Sequence, residues 1–430
     1  MNTLRHSDAG YARKLDRLCA ASSLFDPKIE AGARAIVERV AGKGDAALIE
    51  FAKKFDGANL TAKTLRVSEG ELATAGQAVN AKLKRAIRFA HRNISQFHKQ
   101  GLRKGWSGRN AQGAKVGEKF DPFGRVGVYI PGGTAPLMST ALMTVTLAKV
   151  AGCQEIIVCT PCGKDGSVNP GLLHAAKVAG ATEVYRVGGA HAIAAMAHGT
   201  TTIAPVQKIF GPGNAYVVAA KRLLVGHVSI DLLPGPSEVL VLADETANPA
   251  FAAADILAQA EHGSGHERCW LVSSSARVLK TVGREIEKQL PERSRADYIR
   301  KVLKHNGWLI QVKSRAEGIA LANRLAPEHC EVMIKDPRSA AKEIVTAGAL
   351  FLGNTSPTVT GDYVAGPSHT LPTGGAGASF PGLTVDMFQR RTSVVEYTPD
   401  ALRKSIEAIE QFAGVEGLDA HGRSASIRLD

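Results

Sequence analysis

Apolar and polar positions follow different patterns on the two sides of Gly124. Before Gly124, apolar residues recur at helical spacing, which predicts helices over residues 26–41 and 45–55 and a further helix after Asn80. After Gly124, short apolar runs alternate with glycine-containing turns and helical stretches. The apolar runs predict strands over residues 126–130, 155–158, 183–187, 208–210, 229–233, 239–242, 269–272, 308–312, 330–334 and 349–352.

The predicted strands are separated by helical stretches. Helices are expected after several of the glycine turns and also over residues 249–261 and 316–324. A repeated order of strand, glycine turn and helix is typical of a parallel sheet, so the sequence predicts an α/β fold with a second α/β layer. From Gly374 the chain is glycine-rich and irregular, and a last helix is predicted over residues 399–412.

Composition places the chain among soluble globular proteins. Its 430 residues are too many for one small core, and 44% of them are hydrophobic and 22% charged. No apolar run reaches the length of about 18 residues that a membrane helix needs, and the first residues show no secretory signal. Six scattered cysteines suit a reducing compartment, so we expect a cytoplasmic protein without membrane contact.

The net charge of +13 comes largely from one segment. Between Lys82 and Arg125, twelve Lys and Arg residues are accompanied only by Glu118 and Asp121 among the acidic residues. Apolar residues recur there at helical spacing, which predicts an amphipathic helix with a basic outer face. Aromatic content is only 5%, and no base-stacking groups accompany the charge, so we expect no nucleic-acid partner.

Glu328 and His329 are adjacent and directly follow Pro327. The chain after a proline is bent and extended, so two neighbouring side chains can face one cavity. Glu and His are also the side chains most often used for proton transfer near neutral pH. A lone Glu-His pair is more often a solvated Glu and a capped His at a turn, so its interpretation depends on the rest of the chain.

A second group of side chains could bind a metal ion. Gln259 and His262 are three residues apart at the predicted end of a helix, so they share one helical face. Asp362 and His421 lie far away in the sequence, and Asp and His are good zinc ligands. Spacing alone does not show that these residues converge, and His262 could instead interact with the helix dipole.

The glycine-containing turns are candidates for phosphate binding, because glycine lets backbone N–H groups approach a pyrophosphate at a helix start. The turn from Gly211 to Asn214 has two of the three glycines of a dinucleotide fingerprint. As a single motif it is weak support for a nucleotide site.

Taken together, these segments resemble the histidinol dehydrogenase family over nearly the whole chain. The resemblance rests on long motifs in the same order, which are Val128-Tyr-Ile-Pro-Gly-Gly-Thr-Ala-Pro136, Phe210-Gly-Pro-Gly-Asn214, Ile230-Asp231, Gly235-Pro-Ser-Glu-Val239, Gln259-Ala-Glu-His262, Ala326-Pro-Glu-His329, Gly361-Asp-Tyr363, His369-Thr-Leu-Pro-Thr373, and Glu416-Gly-Leu418 with His421. It implies a zinc-containing, NAD-dependent enzyme of histidine biosynthesis that oxidises L-histidinol through L-histidinal to L-histidine.

The resemblance also implies roles for single residues. His329 would take the alcohol proton, and Glu328 would activate the water that attacks the aldehyde. One zinc ion per subunit would be held by Gln259, His262, Asp362 and His421. Substrate contacts are expected at Ser237, Gln259, His262, His329, Asp362, Glu416 and His421, and nucleotide contacts at Tyr129, His191 and Asn214. Family members are homodimers with intertwined ends, so Glu416 and His421 would reach the partner's site.

In fold, the family implies two related parallel-sheet domains of incomplete Rossmann-like type, an N-terminal helix and an extended helical C-terminal tail. On this basis we expect a helical arm over residues 1–25 and a first α/β domain with the metal and catalytic residues, built from 26–128 and 238–378. Residues 129–237 would form the second, nucleotide-binding domain. Residues 379–430 would form a tail that is swapped in the dimer.

The sequence departs from the family pattern at His191, where the family usually has Gln. An imidazole can titrate near pH 6–7, which Gln cannot do, so the nucleotide contact could differ. The alternative within the class is a paralogous dehydrogenase of another small amino alcohol or a sulfonated diol. Two alternatives from other classes are a zinc hydrolase that uses Glu328 as base and a basic binding protein.

Overall fold

The computed structural model describes residues 1–20, 26–132 and 136–430. Residues 21–25 of the expected N-terminal arm and residues 133–135 of the first family motif lie outside the described residues. The strands are β1 (Asn2–Arg5), β2 (Trp106–Arg109), β3 (Lys115–Pro122), β4 (Arg125–Tyr129), β5 (Glu155–Thr160), β6 (Glu183–Arg186), β7 (Lys208–Phe210), β8 (Ser229–Ile230), β9 (Glu238–Ala243), β10 (Arg268–Ser273), β11 (Gly307–Gln311), β12 (His329–Met333), β13 (Ala349–Leu352) and β14 (Gln389–Glu396).

Helices follow most of the strands of the two parallel sheets. They are α1 (Tyr11–Cys19), α2 (Pro27–Lys43), α3 (Asp45–Phe51), α4 (Ala62–Leu65), α5 (Glu69–Thr74), α6 (Ala81–Lys99), α7 (Met138–Ala151), α8 (Pro170–Ala179), α9 (Gly189–His198), α10 (Ala215–Leu223), α11 (Pro249–Ala260), α12 (Ala276–Gln289), α13 (Ala296–Asn306), α14 (Arg315–Leu325), α15 (Pro337–Glu343), α16 (Thr358–Tyr363), α17 (Pro399–Arg403), α18 (Ile406–Glu416) and α19 (Asp419–Ser426). Across the described ranges, none of these helices is both long enough and apolar enough to span a bilayer.

The first sheet has six parallel strands in the order β1-β11-β10-β9-β12-β13. Its central strand β9 is buried along its whole length, which explains why the sequence there is an almost continuous apolar run. Residues of α11, α12 and α13 form the core on one face. Residues of α1, α14 and α15 form the core on the other face.

The second sheet has five parallel strands in the order β6-β5-β4-β7-β8. Residues of α6, α7 and α8 cover one face, and residues of α2, α3, α9 and α10 cover the other. The two parallel sheets with helices on both faces confirm the predicted α/β fold class. The domain boundaries stay a prediction, but α2, α3 and α6 pack in the cores of the second sheet, whereas the sequence analysis grouped residues 26–128 with residues 238–378.

A third, antiparallel sheet has the order β14-β3-β2 and was not predicted. Every residue of β2 is exposed, so this strand has no buried apolar face that a sequence pattern could show. The predicted single helix over residues 399–412 is divided into α17 and α18 by a break at Lys404 and Ser405. The expected helical arm begins with a strand, because β1 extends the edge of the six-stranded sheet before α1 starts.

The two parallel sheets contribute opposite edges to the same region of the molecule. Glu238 and His329 are the first residues of their strands, so they mark the amino-terminal edge of the six-stranded sheet. Tyr129 ends β4 and the turn beginning at Gly211 follows β7, so these residues mark the carboxyl-terminal edge of the five-stranded sheet. Residues from both edges line one common cavity.

Candidate active site

A cavity with a volume of about 580 Å³ lies between these edges. We call it the smaller cavity, to distinguish it from the larger cavity of the five-stranded sheet described below. Polar and titratable side chains from five segments of the chain reach it. They include Ser237, Gln259, His262, Glu328, His329, Asp362 and His369. The structure therefore brings together residues that the sequence could only place in separate motifs.

Helix α11 positions Gln259 and His262. Asn248 caps the start of this helix by accepting a hydrogen bond from the Ala250 N–H, and the helix ends one residue after Gln259. Gln259 is buried, and its Nε2 atom lies 3.4 Å from Nδ1 of His262. Nδ1 of His262 also lies 3.1 Å from the Gln259 carbonyl oxygen, so Nε2 is the ring nitrogen left for a ligand in the cavity.

The turn after α14 positions Glu328 and His329. Ala326 ends this helix with a φ of 44°, a left-handed conformation that is uncommon for a residue with a Cβ atom. Pro327 follows, and His329 is already the first residue of β12. Both side chains line the smaller cavity, as expected from their position after a proline. Both are buried, so the alternative of a solvated pair at a turn is wrong.

Glu238 links the two candidate proton-transfer groups through its backbone. Its N–H donates to Oε2 of Glu328 at 2.8 Å, and its carbonyl oxygen lies 3.0 Å from Nδ1 of His329. A carbonyl oxygen only accepts hydrogen bonds, so Nδ1 of His329 carries a proton and Nε2 is the nitrogen that can gain or lose one. Oε2 of Glu328 also lies 3.6 Å from Nδ1 of His329.

Neighbouring charges and burial shift the pKa values of this group. Burial raises the pKa of Glu328. Burial opposes the charged form of His329, but the carboxylates of Glu328 and Asp362 outweigh it and raise the pKa of His329 to about 9. Burial also acts to raise the pKa of Asp362, yet the neighbouring imidazole of His329 holds it below its usual value. The imidazole and the two carboxylates therefore form one coupled electrostatic unit.

Helix α16 positions Asp362, whose Oδ1 atom lies 3.6 Å from Nε2 of His329. His369 supports this helix, because its Nδ1 lies 3.0 Å from the Asp362 carbonyl oxygen and its Nε2 lies 3.2 Å from Oγ1 of Thr140. The sequence analysis gave His369 no role. Its position at the start of a long polar motif was the only signal that could have indicated one.

The larger cavity has a volume of about 1320 Å³ and lies at the carboxyl-terminal edge of the five-stranded sheet. The three residues expected to contact a nucleotide, which are Tyr129, His191 and Asn214, all line it. Ligands of parallel α/β sheets commonly bind at this edge. Asn214 also caps α10, because its side chain accepts hydrogen bonds from the N–H groups of Tyr216 and Val217.

His191 lies in the first turn of α9 and is only 2% exposed. Its ring centroid lies 5.4 Å from that of Phe51 and 5.9 Å from that of Phe55. Within the described part of the chain, neither ring nitrogen has a hydrogen-bond partner. Burial lowers the pKa of His191 to about 4, so the expectation that it titrates near pH 6–7 is wrong.

The two cavities meet at Gly132 and Asn214, which line both. A buried ion pair between Lys221 and Asp231 holds the turn that carries Asn214. Lys221 Nζ donates to the Gly211 carbonyl oxygen at 3.0 Å, and Asp231 Oδ2 accepts from the Gly211 N–H at 2.8 Å. Gly211 has a φ of 110°, and a Cβ atom there would overlap the Tyr129 carbonyl, so only glycine fits this junction.

Glu416 and His421 lie outside the smaller cavity of their own chain. Glu416 ends α18 and His421 lies in α19, and both are exposed. Over the described ranges, one chain holds no group of three or more His, Cys, Asp or Glu residues arranged around a metal position. Of the four expected ligands, Gln259, His262 and Asp362 line the smaller cavity of one chain, and His421 does not.

The smaller cavity holds a buried carboxyl-imidazole pair beside side chains that can bind a metal ion. It lies next to a large cavity at the carboxyl edge of a parallel sheet. This arrangement is suited to an α/β oxidoreductase. The chain matches the histidinol dehydrogenase family over residues 21–429 and belongs to this family. It is 46% identical to histidinol dehydrogenase from Synechococcus over 418 residues, which cover 96% of each chain. It is 44% identical to that from Bradyrhizobium diazoefficiens over 427 residues, which cover 99% of each.

The same family is found among solved structures. The crystal structure of histidinol dehydrogenase from Elizabethkingia anophelis superposes with a TM-score of 0.94 and 36% sequence identity. The superposition covers 100% of this chain and 98% of that chain. The resemblance seen in the motifs is thus confirmed at the level of the whole fold.

Proposed function

We propose that this chain oxidises L-histidinol through L-histidinal to L-histidine, with two NAD⁺ and one zinc ion per subunit. One observation carries the proposal. The cavity that contains the proton-transfer pair lies beside a second cavity large enough for a dinucleotide, and Gly132 and Asn214 line both. A substrate in the smaller cavity would therefore lie beside a nucleotide in the larger one.

The donor atoms of the smaller cavity fit a zinc ion. An imidazole nitrogen, a carboxylate oxygen and an amide of Gln259 are available in one chain, and zinc prefers four such ligands. His262 presents Nε2, because its Nδ1 faces the Gln259 carbonyl oxygen. When bound, zinc would anchor and orient the substrate, and NAD⁺ would accept the hydride.

In this proposal His421 from a second copy of the chain completes the metal site, and Glu416 of that copy contacts the substrate. The exposed tail supports a homodimer. Phe412 and Val415 on α18 are 70% and 89% exposed in the single chain, and large apolar side chains exposed to this degree commonly mark an interface. The swapped tail would bury them.

His329 takes the hydroxyl proton in both oxidations, from the alcohol in the first and from the hydrated aldehyde in the second. Its Nδ1–H is held by the Glu238 carbonyl oxygen, which fixes the ring and leaves the Nε2 lone pair for the substrate. Part of the raised pKa of His329 comes from the Asp362 carboxylate, so ligation of Asp362 to a cation would lower the pKa of His329 and favour its basic form. The base therefore becomes available when the site is assembled.

Glu328 activates water for the second oxidation. Burial raises its pKa above the usual value, which makes its carboxylate a stronger base than one in solvent. One of its oxygens already accepts the Glu238 N–H, so the carboxylate is held in place beside His329. The second oxidation needs this group because an aldehyde must be hydrated before it can lose a hydride.

The nucleotide is proposed to bind in the larger cavity against Tyr129, His191 and Asn214. His191 is neutral there and has two unpartnered ring nitrogens, so it can donate or accept one hydrogen bond as the usual Gln does. The six free cysteines suit the proposed cytoplasmic location.

Substrate specificity gives the direct test of this function. The purified protein is given NAD⁺ and either L-histidinol, an amino alcohol without an imidazole, or a sulfonated diol, and NADH absorbance is followed. We expect rapid NADH formation with L-histidinol, and loss of the rate after zinc removal by a chelator or in His262→Ala. Preferred oxidation of the diol would show a paralogous dehydrogenase instead.

A further inference from the structure

Two buried carboxyl groups that do not line the smaller cavity lie directly behind it. Asp255 is in α11 and is 7% exposed, and Glu331 is in β12 and is fully buried. Each of the two carboxyls shifts the pKa of the other, so their side chains are neighbours. Two buried acids in contact are costly unless they do structural or chemical work, so their connections are informative.

The pair connects α11, β12 and α16, the three elements that carry proposed metal ligands and the proton-transfer residue His329. Asp255 precedes Gln259 by four residues, so both lie along one side of α11. Glu331 and His329 are two residues apart in β12 and therefore face the same side of the strand. Oε1 of Glu331 accepts a hydrogen bond at 2.9 Å from the N–H of Thr358, the first residue of α16.

Two neighbouring carboxyls can form a hydrogen bond with each other only if one of them carries a proton. Oε2 of Glu331 is buried and, across the described residues, finds no N–H or hydroxyl donor. Burial raises the pKa of Glu331 well above its usual value, and the neighbouring Asp255 raises it further. Burial also raises the pKa of Asp255. One proton shared between the two carboxyls satisfies both groups, because like charges this close cannot both ionise.

We infer that Asp255 and Glu331 are a positioning pair that fixes α11, β12 and α16 relative to one another, so that Gln259, His262 and Asp362 converge on the metal ion. The inference rests on the proposed function, because it assigns the pair to the proposed zinc site. The pair acts through the ligands and touches neither metal nor substrate. Supporting groups of this kind typically change metal affinity by about 10–100-fold when they are removed.

The test compares disruptive with conservative substitutions. Zinc affinity is measured by competition with a chromophoric chelator, using purified full-length protein. We expect Glu331→Ala and Asp255→Ala each to weaken zinc binding by about 10–100-fold. Glu331→Gln and Asp255→Asn should keep affinity close to that of the wild type, because the new amide can donate the hydrogen bond that the shared proton now makes.

Two controls separate positioning from general destabilisation and from failure of the zinc site itself. Val332→Ala removes a buried side chain from the other face of β12, so it lowers stability without touching the pair, and it should keep zinc affinity. His262→Ala should lose the zinc. If His262→Ala binds zinc as tightly as the wild type, the proposed metal site is wrong and the inference falls with it.

If His262→Ala loses zinc while Glu331→Ala and Asp255→Ala bind it like the wild type, only the positioning role is overturned. Equal losses in the Ala and amide variants would also overturn it, because the shape-conserving amides would then not restore the contact. Should Glu331→Ala fail to fold, Asp255→Ala decides the question, since it leaves the hydrogen bond from the Thr358 N–H to Glu331 in place.

Discussion

Replacing His191 with Gln should make the protein more resistant to acid. The wild-type imidazole is 2% exposed between Phe51 and Phe55, and within the described residues both of its ring nitrogens are unpartnered. A proton on this ring would have neither water nor a hydrogen-bond acceptor beside it. Gln does not gain a proton over the same pH range, so His191→Gln removes the titration and keeps a polar side chain of comparable length.

The size of the effect follows from linkage between protonation and folding. Burial lowers the pKa of His191 to about 4, whereas an unfolded chain has a His pKa of about 6.5. The unfolded state therefore binds more protons as the pH falls, and stability is lost from about pH 6.5 downwards. Between pH 7.5 and pH 5 the wild type should lose about 2 kcal/mol that His191→Gln does not lose.

The assay is urea unfolding of the nucleotide-free protein at several pH values. The difference in the free energy of unfolding between His191→Gln and the wild type should change by about 2 kcal/mol from pH 7.5 to pH 5. The exposed His305 gives a matched control, and His305→Gln should leave the pH dependence as it is in the wild type. Parallel curves for the wild type and His191→Gln would mean that the ring is solvated or paired in solution.

Further predictions concern catalysis and the dimer. His191→Gln should remain active, and it should change the KM for NAD⁺ more than the KM for histidinol, each measured with the other substrate saturating. A change in the KM for histidinol alone would place the ring on the substrate side. Glu328→Gln should slow oxidation of histidinal by about 10²–10⁴-fold and spare oxidation of histidinol, and equal losses from both starting compounds would make the carboxylate an orienting group. Mixing inactive His262→Ala and His421→Ala chains should restore activity, since one site of a mixed dimer carries neither change, and no recovery after proven subunit exchange would show that each chain builds its own site. Ala326→Gly should raise the free energy of unfolding by up to about 1 kcal/mol, because glycine adopts a φ of 44° without strain, and a lower stability in urea would contradict this.

The parallel sheets could be predicted because burial on both faces leaves a clear pattern. Strands such as β5 and β9 are buried along nearly their whole length and read as short apolar runs between glycine turns. Strands without a buried apolar run carry no such pattern. Strand β2 is exposed throughout, and β1 is four residues long with only Leu4 buried, so both were missed.

The pairs Glu328–His329 and Gln259–His262 could be proposed from the sequence, but not that they line one cavity. Strands β9 and β12 are neighbours in the six-stranded sheet, and this order places Glu238 beside Glu328 and His329. Strand order depends on crossover connections that residue spacing does not encode. The contact between Asp255 and Glu331 was missed for the same reason, since it depends on how α11 packs against β12.

The titration of His191 was mispredicted because a pKa depends on surroundings that the sequence does not contain. The type of residue suggested titration near neutral pH, and only the packing of two phenylalanine rings and the absence of partners in the described residues reversed that expectation. The role proposed for His421 stays a prediction, because the structure of one chain leaves it exposed on the tail.

The yield of NADH per histidinol shows whether one site carries out both oxidations. A limiting, known amount of L-histidinol is consumed to completion with excess NAD⁺, and NADH and histidine are both quantified. We expect two NADH and one histidine for each histidinol, with no accumulation of free histidinal. One NADH per histidinol with histidinal as the product, or no NADH at all, would contradict this expectation.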